Sequence, residues 1–383
     1  MYITHLTLRN WRNFREVEAP LRERTYLLGP NASGKSNLLD VFRFLRDVSK
    51  PEGGGLQKAV ADRGGMKKLR CLHARKRSDV RIEVALAQDP EESPLWQYVL
   101  GFKSEGKGRH RTLITEEHVR KNGEEVIRRP TPEEETDPYR LTQTYLEQIQ
   151  MNAEFRELAE YFASITYLHL VPQLLRYNAT VGGKDPEEDP FGQGFLQRLA
   201  KTPKNTRDAR LKRIEKALAV AVPQFKELKF EKDKVTGQPH LSARYAHHRP
   251  RAGWQREEDF SDGTLRLIGL LWALLESESL LLLEEPELSL NDAIVREIPR
   301  LFERVQRHKK GKRQVVISTH SEALLSNKGI DGRGVLILEP GPEGTTIRSI
   351  DDDEARLLRA GSSVAEVMLP KTKPEKIGQQ ELW

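Results

Sequence analysis

Eight consecutive residues, Gly29-Pro30-Asn31-Ala32-Ser33-Gly34-Lys35-Ser36, constrain this chain more than any other stretch. They fit the phosphate-loop spacing GxxxxGK[ST] at every fixed position. Thr25-Tyr26-Leu27-Leu28 reads as a short buried strand leading in, and Leu38, Leu39, Val41, Phe42, Leu45 and Val48 recur at helical spacing behind. A glycine-rich turn between strand and helix aims backbone N–H groups and the positive helix end at one point. Phosphates of a nucleotide suit that point. Gly29, Asn31, Ala32, Ser33, Gly34 and Asn37 would surround them. Lys35 would reach the β- and γ-phosphates, and the Ser36 hydroxyl would coordinate Mg²⁺.

The second half of the chain supplies acids. Leu280-Leu281-Leu282-Leu283-Glu284-Glu285-Pro286 is an apolar run ending in two carboxylates. Buried parallel strands read as continuous apolar runs, and their C-terminal ends border the ligand crevice of open α/β sheets. Glu284 is the candidate for the Mg²⁺ shell and Glu285 for the general base acting on water. Phe260-Ser261-Asp262-Gly263-Thr264 precedes an apolar helix from Leu265 to about Leu275. Ser261 and Asp262 suit capping, and Gly263 lets backbone approach a ligand. Gln314-Val315-Val316-Ile317-Ser318-Thr319-His320 is a further strand tipped by a histidine, with Ser321 as a cap for the next helix. Ile165 to Gln173 reads as one more strand, ending in an amide able to touch the metal or its water.

In this order the pieces resemble the ABC ATPase heads of the SMC/RecF type, including the OLD-like and phage-defence ATPases. The phosphate loop, Gln173, Ser261 to Thr264, Glu284 with Glu285, and His320 match Walker A, Q-loop, signature, Walker B and switch histidine. Ser289-Leu290-Asn291 falls at the D-loop, and Ile3 to Phe14 looks like the first strand and basic turn of RecF-like proteins. The likeness spans roughly residues 1–80 and 160–370. Three positions depart from the pattern: the signature reads Ser-Asp-Gly-Thr, Glu284 stands for the usual aspartate, and Asn291 for the D-loop aspartate.

The resemblance implies a P-loop NTPase head of α/β class. It combines a mixed sheet with flanking helices, an antiparallel β-subdomain and an inserted helical lid. ATP and Mg²⁺ are the implied cofactors, and hydrolysis the implied activity, with Glu285, His320 and Gln173 as catalytic residues. Gln173, Ser36 and Glu284 would hold the metal. Two copies would sandwich two ATP molecules, each completed in trans by Ser261, Asp262, Gly263 and Thr264 of the other. Asn10, Arg12 and Asn13 are the candidates for the adenine side.

The expected organisation is an N-lobe over 1–129, a lid region over 130–235, a C-lobe over 236–370 and a flexible tail over 371–383. The β-rich stretch from Asp79 to about Arg128 carries a hairpin whose tip, Lys103 to Arg111, is basic. Arg75-Lys76-Arg77 and His308 to Arg313 are the other basic clusters, and Asn178 to Gln193 reads as a mobile loop. Asp351 to Glu354 suits a helix N-terminus, and Ser363 with Glu366 a capping box. Long heptads are absent, so no coiled-coil arm is expected.

Charge and composition narrow the setting. Net charge is +6, and pI is about 9.2, permissive for DNA. One cysteine, Cys71, rules out an internal disulfide. No signal peptide is evident, and the apolar runs are too short for a bilayer, so a cytoplasmic protein without a fused permease is expected. The C-terminal piece is too short for a Toprim nuclease domain. Three readings stay open: an ATP-gated dimer in DNA repair or phage defence with a separately encoded nuclease or effector, a DNA clamp or loader whose ATPase is its output, and a transporter energy module.

Overall fold

The computed structural model describes residues 1–74, 78–106, 111–176, 189–246, 253–307 and 312–372. The basic cluster at 75–77, the hairpin tip at 107–110, most of the cluster at 308–313, most of the loop at 178–193 and the tail beyond 372 lie outside these residues.

Among the described residues, fifteen strands form three sheets. The first is antiparallel: β1 (Tyr2–Trp11), β2 (Phe14–Pro20), β4 (Val80–Ala87), β5 (Trp96–Ser104), β6 (Thr112–Lys121) and β7 (Glu124–Arg129), in the order β2-β1-β4-β5-β6-β7. The second is mixed and holds β3 (Arg24–Leu28), β8 (Thr166–Leu168), β12 (Leu281–Glu284), β13 (Val315–Ser318), β14 (Val335–Gly341) and β15 (Gly344–Ser349). Its order is β15-β14-β3-β13-β12-β8, with only β15 antiparallel to its neighbour. A third sheet, β9 (Phe225–Lys232), β10 (Pro239–Tyr245) and β11 (Trp254–Arg256), leads into the signature segment.

Both faces of the mixed sheet are covered, which explains the unbroken leucine run. Leu281 and Leu283 enter one core with Tyr26, Leu28, Val315 and Ile317, under the helices at Asp262–Glu276 and Asp292–Gln306. Leu280 and Leu282 enter another with Leu27, Val316, Leu336 and the phosphate-loop helix Lys35–Ser49. Alternation exists, but it divides the strand between two apolar environments.

The region read as one lid is split between these cores. Phe155, Leu158 and Phe162 are fully buried beside the antiparallel sheet, and Phe162 lies against Tyr98 with ring centroids 5.8 Å apart. Arg129 is buried too, pairing with Glu117 at 2.6 Å and Glu134 at 2.8 Å. Residues 130–163 are therefore part of the N-terminal body. The helices Phe195–Lys201 and Lys204–Ala221, with the third sheet, belong to the other core.

The strand expected over Ile165 to Gln173 stops at Leu168. Proline at 172 has no N–H for a ladder and starts the helix Pro172–Arg176. Residues between them turn to a different neighbour: His169 N–H donates to Pro190 O at 2.7 Å and Val171 N–H to Phe191 O at 3.0 Å. Elsewhere local chemistry holds. Asp351 caps the helix Asp352–Arg359 in a capping box with Glu354, and Ser363 and Glu366 exchange bonds at the last helix.

Candidate nucleotide site

Register brings the site together. Glu284 pairs with Ser318, and Ser318 with Leu27, so β3, β12 and β13 end level. The loops that leave them, 29–34, 285–291 and 319–321, meet at one sheet edge.

The phosphate loop is pre-shaped. Ala32 and Gly34 take φ of 62° and 98°. A Cβ on Gly34 would lie 2.1 Å from the Asn13 amide nitrogen, so glycine is required there. Lys35 Nζ donates to the Gly29 and Pro30 carbonyls at 2.9 and 3.0 Å. Burial pulls its ammonium down to about 8, against the opposing pull of Glu285 and Glu284. Ser33 is fully buried, and its hydroxyl has no hydrogen-bond partner. A desolvated ammonium at a helix N-terminus fits an anionic phosphate group.

Ser36 and Glu284 face each other, the hydroxyl donating to carboxylate Oε1. The Tyr167 hydroxyl donates to Oε2 of the same carboxylate. Ser36 and Glu284 offer hard oxygen donors of the kind Mg²⁺ takes together with phosphate oxygens and water. Glu285 follows with φ of 45°, an uncommon value for a non-glycine residue that here turns its carboxylate toward His320 Nε2, 3.9 Å away. Burial and the nearby Lys35 lower the His320 pKa below its ordinary 6.5, so the ring is neutral at pH 7.

The signature helix starts as expected: Ser261 Oγ accepts from Thr264 N–H at 3.2 Å. Asp262 accepts from Arg176 at 2.6 Å and from the Gln173 amide at 2.9 Å. Gln173, on the short helix 172–176, is thus joined to the signature in this structure. Gly263 packs close on the D-loop; a Cβ there would be 3.2 Å from Ser289 O. Asn291 caps the next helix through Ala293 N–H at 2.9 Å, doing what an aspartate would do.

The basic turn behaves differently from the adenine expectation. Asn10 is buried, its amide donating to Asp79 O at 2.8 Å and accepting from Cys71 N–H at 2.9 Å. Arg12 is spent on Asp40, at 2.5 and 3.1 Å. Asn13 braces the phosphate loop from behind: its amide donates to Ser33 O at 3.0 Å and Thr345 Oγ1 at 2.8 Å, and accepts from Asn37 at 2.8 Å. At residues 10 and 12 positive φ angles turn the chain, which directs these side chains into the protein.

Three contributors had no motif to reveal them. Tyr167 is one. Glu287 is another, accepting from Thr319 Oγ1 at 2.5 Å and His320 N–H at 3.2 Å, so that the acidic loop holds the histidine loop. The third is Arg266 on the signature helix, buried and donating to Glu285 O at 2.9 Å. Helical spacing places it one turn behind Gly263, the signal that points it at residue 285.

A phosphate loop, a Walker B strand, a capped signature helix and a histidine loop on one mixed sheet define a P-loop ATPase head of the SMC/RecF kind. The chain belongs to the family described as "AAA domain, putative AbiEii toxin, Type IV TA system", which matches residues 24–326. It is 35% identical over 100 residues to the DNA replication and repair protein RecF of Roseiflexus castenholzii, covering 24% of this chain and 25% of that one. RecF of Chloroflexus aggregans is 46% identical over 52 residues, 13% of each chain. The chain thus matches a quarter or less of these relatives' length. Its fold is that of SMC heads. An SMC head bound to the C-winged helix domain of ScpA superposes with a TM-score of 0.56 at 15% identity, over 93% of this chain and all of that one. One from Pyrococcus furiosus, bound to the C-terminal domain of ScpA, gives 0.51 at 14% identity over 94% and 98%.

Proposed function

We propose that this protein binds ATP with Mg²⁺ at the site described and hydrolyses it, and that two copies close head to tail around two ATP molecules. The observation that carries the reading is the meeting of Lys35, Ser36, Glu284, Glu285 and His320 at one sheet edge, where β3, β12 and β13 end level.

Each residue has a task on this reading. Lys35 leaves two carbonyls to meet the phosphates. Ser36 and Glu284 would hold the cation, which when bound would supply charge neutralisation of the phosphates. Glu285 orients the attacking water and takes its proton. His320, neutral at pH 7, offers a ring N–H toward the γ-phosphate. Ser261 and Gly263 of the second copy would complete the site, so loss of the γ-phosphate would loosen the pair.

The work done by that cycle is set in the cytoplasm, in DNA repair or phage defence. The RecF likeness favours a response to DNA. The toxin–antitoxin wording of the family favours a separately encoded effector instead. Among the described residues no helix is long and apolar enough to cross a membrane, and nothing favours the transporter reading. Mg-ATP hydrolysis measured with and without duplex DNA at low salt decides between the first two. Stimulation by DNA supports the clamp or DNA-sensing role. Hydrolysis indifferent to DNA supports a protein partner, and absence of hydrolysis in both conditions refutes the intrinsic ATPase.

A further inference from the structure

The mixed sheet ends at an edge strand of only three residues, and its middle residue reaches the metal side of the site. β8 lies parallel to β12 with Tyr167 level with Leu282. Glu284 is two residues further along β12, on the same face as Leu282. An aromatic side chain spans that diagonal, and the Tyr167 hydroxyl donates to Glu284 Oε2. Opposite runs the stripe Ser36, Asp40 and Arg43, spaced by four and three residues on the phosphate-loop helix. Ser36 holds the other carboxylate oxygen, and the Arg43 guanidinium lies 4.4 Å from the centre of the Tyr167 ring. Asp40, near Arg43 at 3.8 Å, is itself held by Arg12 and Arg63. The phenol is therefore fixed by a charged frame on one side and donates a hydrogen bond to a carboxylate on the other.

We infer that Tyr167 is a positioning residue that fixes the Glu284 carboxylate for the divalent cation. This rests on the Mg-ATP reading above. Glutamate at 284 has one more rotatable bond than the aspartate usual in the family, and so more freedom to lose when it engages a metal shell. Tyr167 removes that freedom in advance. With Oε2 tied to Tyr167, Oε1, which now accepts from Ser36, would be the oxygen left to serve a bound cation. The amide of Gln173, joined to Asp262, leaves this task to Tyr167.

The test compares Tyr167→Phe with wild type and with Glu284→Gln, by two binding measurements. One is the affinity for a fluorescent ATP analogue in EDTA. The other is the affinity of the nucleotide-loaded protein for Mn²⁺, read by electron paramagnetic resonance. Loss of one charge-assisted hydrogen bond predicts an Mn²⁺ affinity about tenfold lower in Tyr167→Phe, with EDTA affinity within about twofold of wild type. Glu284→Gln lowers it at least as much, and the double variant shows no further tenfold loss, since both act on one carboxylate. Unchanged Mn²⁺ affinity in Tyr167→Phe, with a loss in Glu284→Gln, overturns the positioning role and leaves the metal site intact. Unchanged affinity in both refutes the metal site itself. A matching loss of nucleotide binding in EDTA also overturns the inference, because it marks general distortion.

Discussion

Replacing Asn13 with alanine separates a brace from a base contact. The Asn13 amide makes two direct bonds to the phosphate-loop segment, to Ser33 O and from Asn37, and a third to Thr345. Each neutral hydrogen bond is worth about 1 kcal/mol net. The two that hold the loop should then cost about 2 kcal/mol of its preorganisation, which nucleotide binding must restore, or roughly a thirtyfold rise in Kd. The third bond adds a loss of about 1 kcal/mol to global stability, visible in urea unfolding. Because a brace acts on the phosphate cradle, the rise should be equal for ATP, GTP and ADP analogues measured by calorimetry. A loss confined to adenine nucleotides would show that Asn13 reads the base, and a change below about threefold for all of them would show that the loop holds its shape without the brace.

Other residues give separate expectations. Glu285→Gln should retain ATP binding, lose hydrolysis by a factor of a hundred or more, and accumulate a dimer in Mg-ATP; a monomer by light scattering in saturating Mg-ATP would sink the head-to-tail scheme. Lys35→Ala should abolish nucleotide binding, and unchanged ATP affinity would refute the phosphate-loop assignment. In wild type the free Lys35 loses its proton through about pH 8, whereas bound phosphate favours the ammonium. ATP affinity should therefore hold below that pH and be about tenfold weaker at pH 9 than at pH 7, while Lys35→Arg, always charged, gives a flat profile. Arg129→Met strands the buried carboxylates of Glu117 and Glu134; unfolding free energy should fall by about 3–5 kcal/mol, and a loss below 1 would show that the segment after residue 129 is not anchored through this pair.

Much of the site is legible because it is local. The phosphate loop carries its own strand and helix signals, and the leucine run announces a strand covered on both faces. Ser261, Ser321 and Asp351 cap where their residue types suggest. What escapes depends on register or on a single turn. Tyr167 matters only because β8 and β12 pair with Leu282 opposite it. Gln173 stands on a helix and not at a strand end because Pro172 begins one. Asn10 and Arg12 face inward because positive φ angles rotate the turn. The stretch after Pro130 reads as the start of a lid, but buried Arg129 ties it to the body through Glu134.

The placing of β3 has a consequence for synthesis of the chain. Both of its partners come late: β13 starts at Val315 and β14 at Val335, while β3 starts at Arg24. At roughly 5–20 residues per second, a ribosome needs about a quarter of a minute to a minute to make the intervening chain. During that time β1, β2 and β4 to β7 can pair among themselves, since all lie within the first 129 residues. The phosphate-loop segment is thus among the first translated and among the last to gain its neighbours. Nucleotide cannot template the early steps, and a nascent chain stalled short of residue 315 would carry the full phosphate-loop sequence without the means to use it.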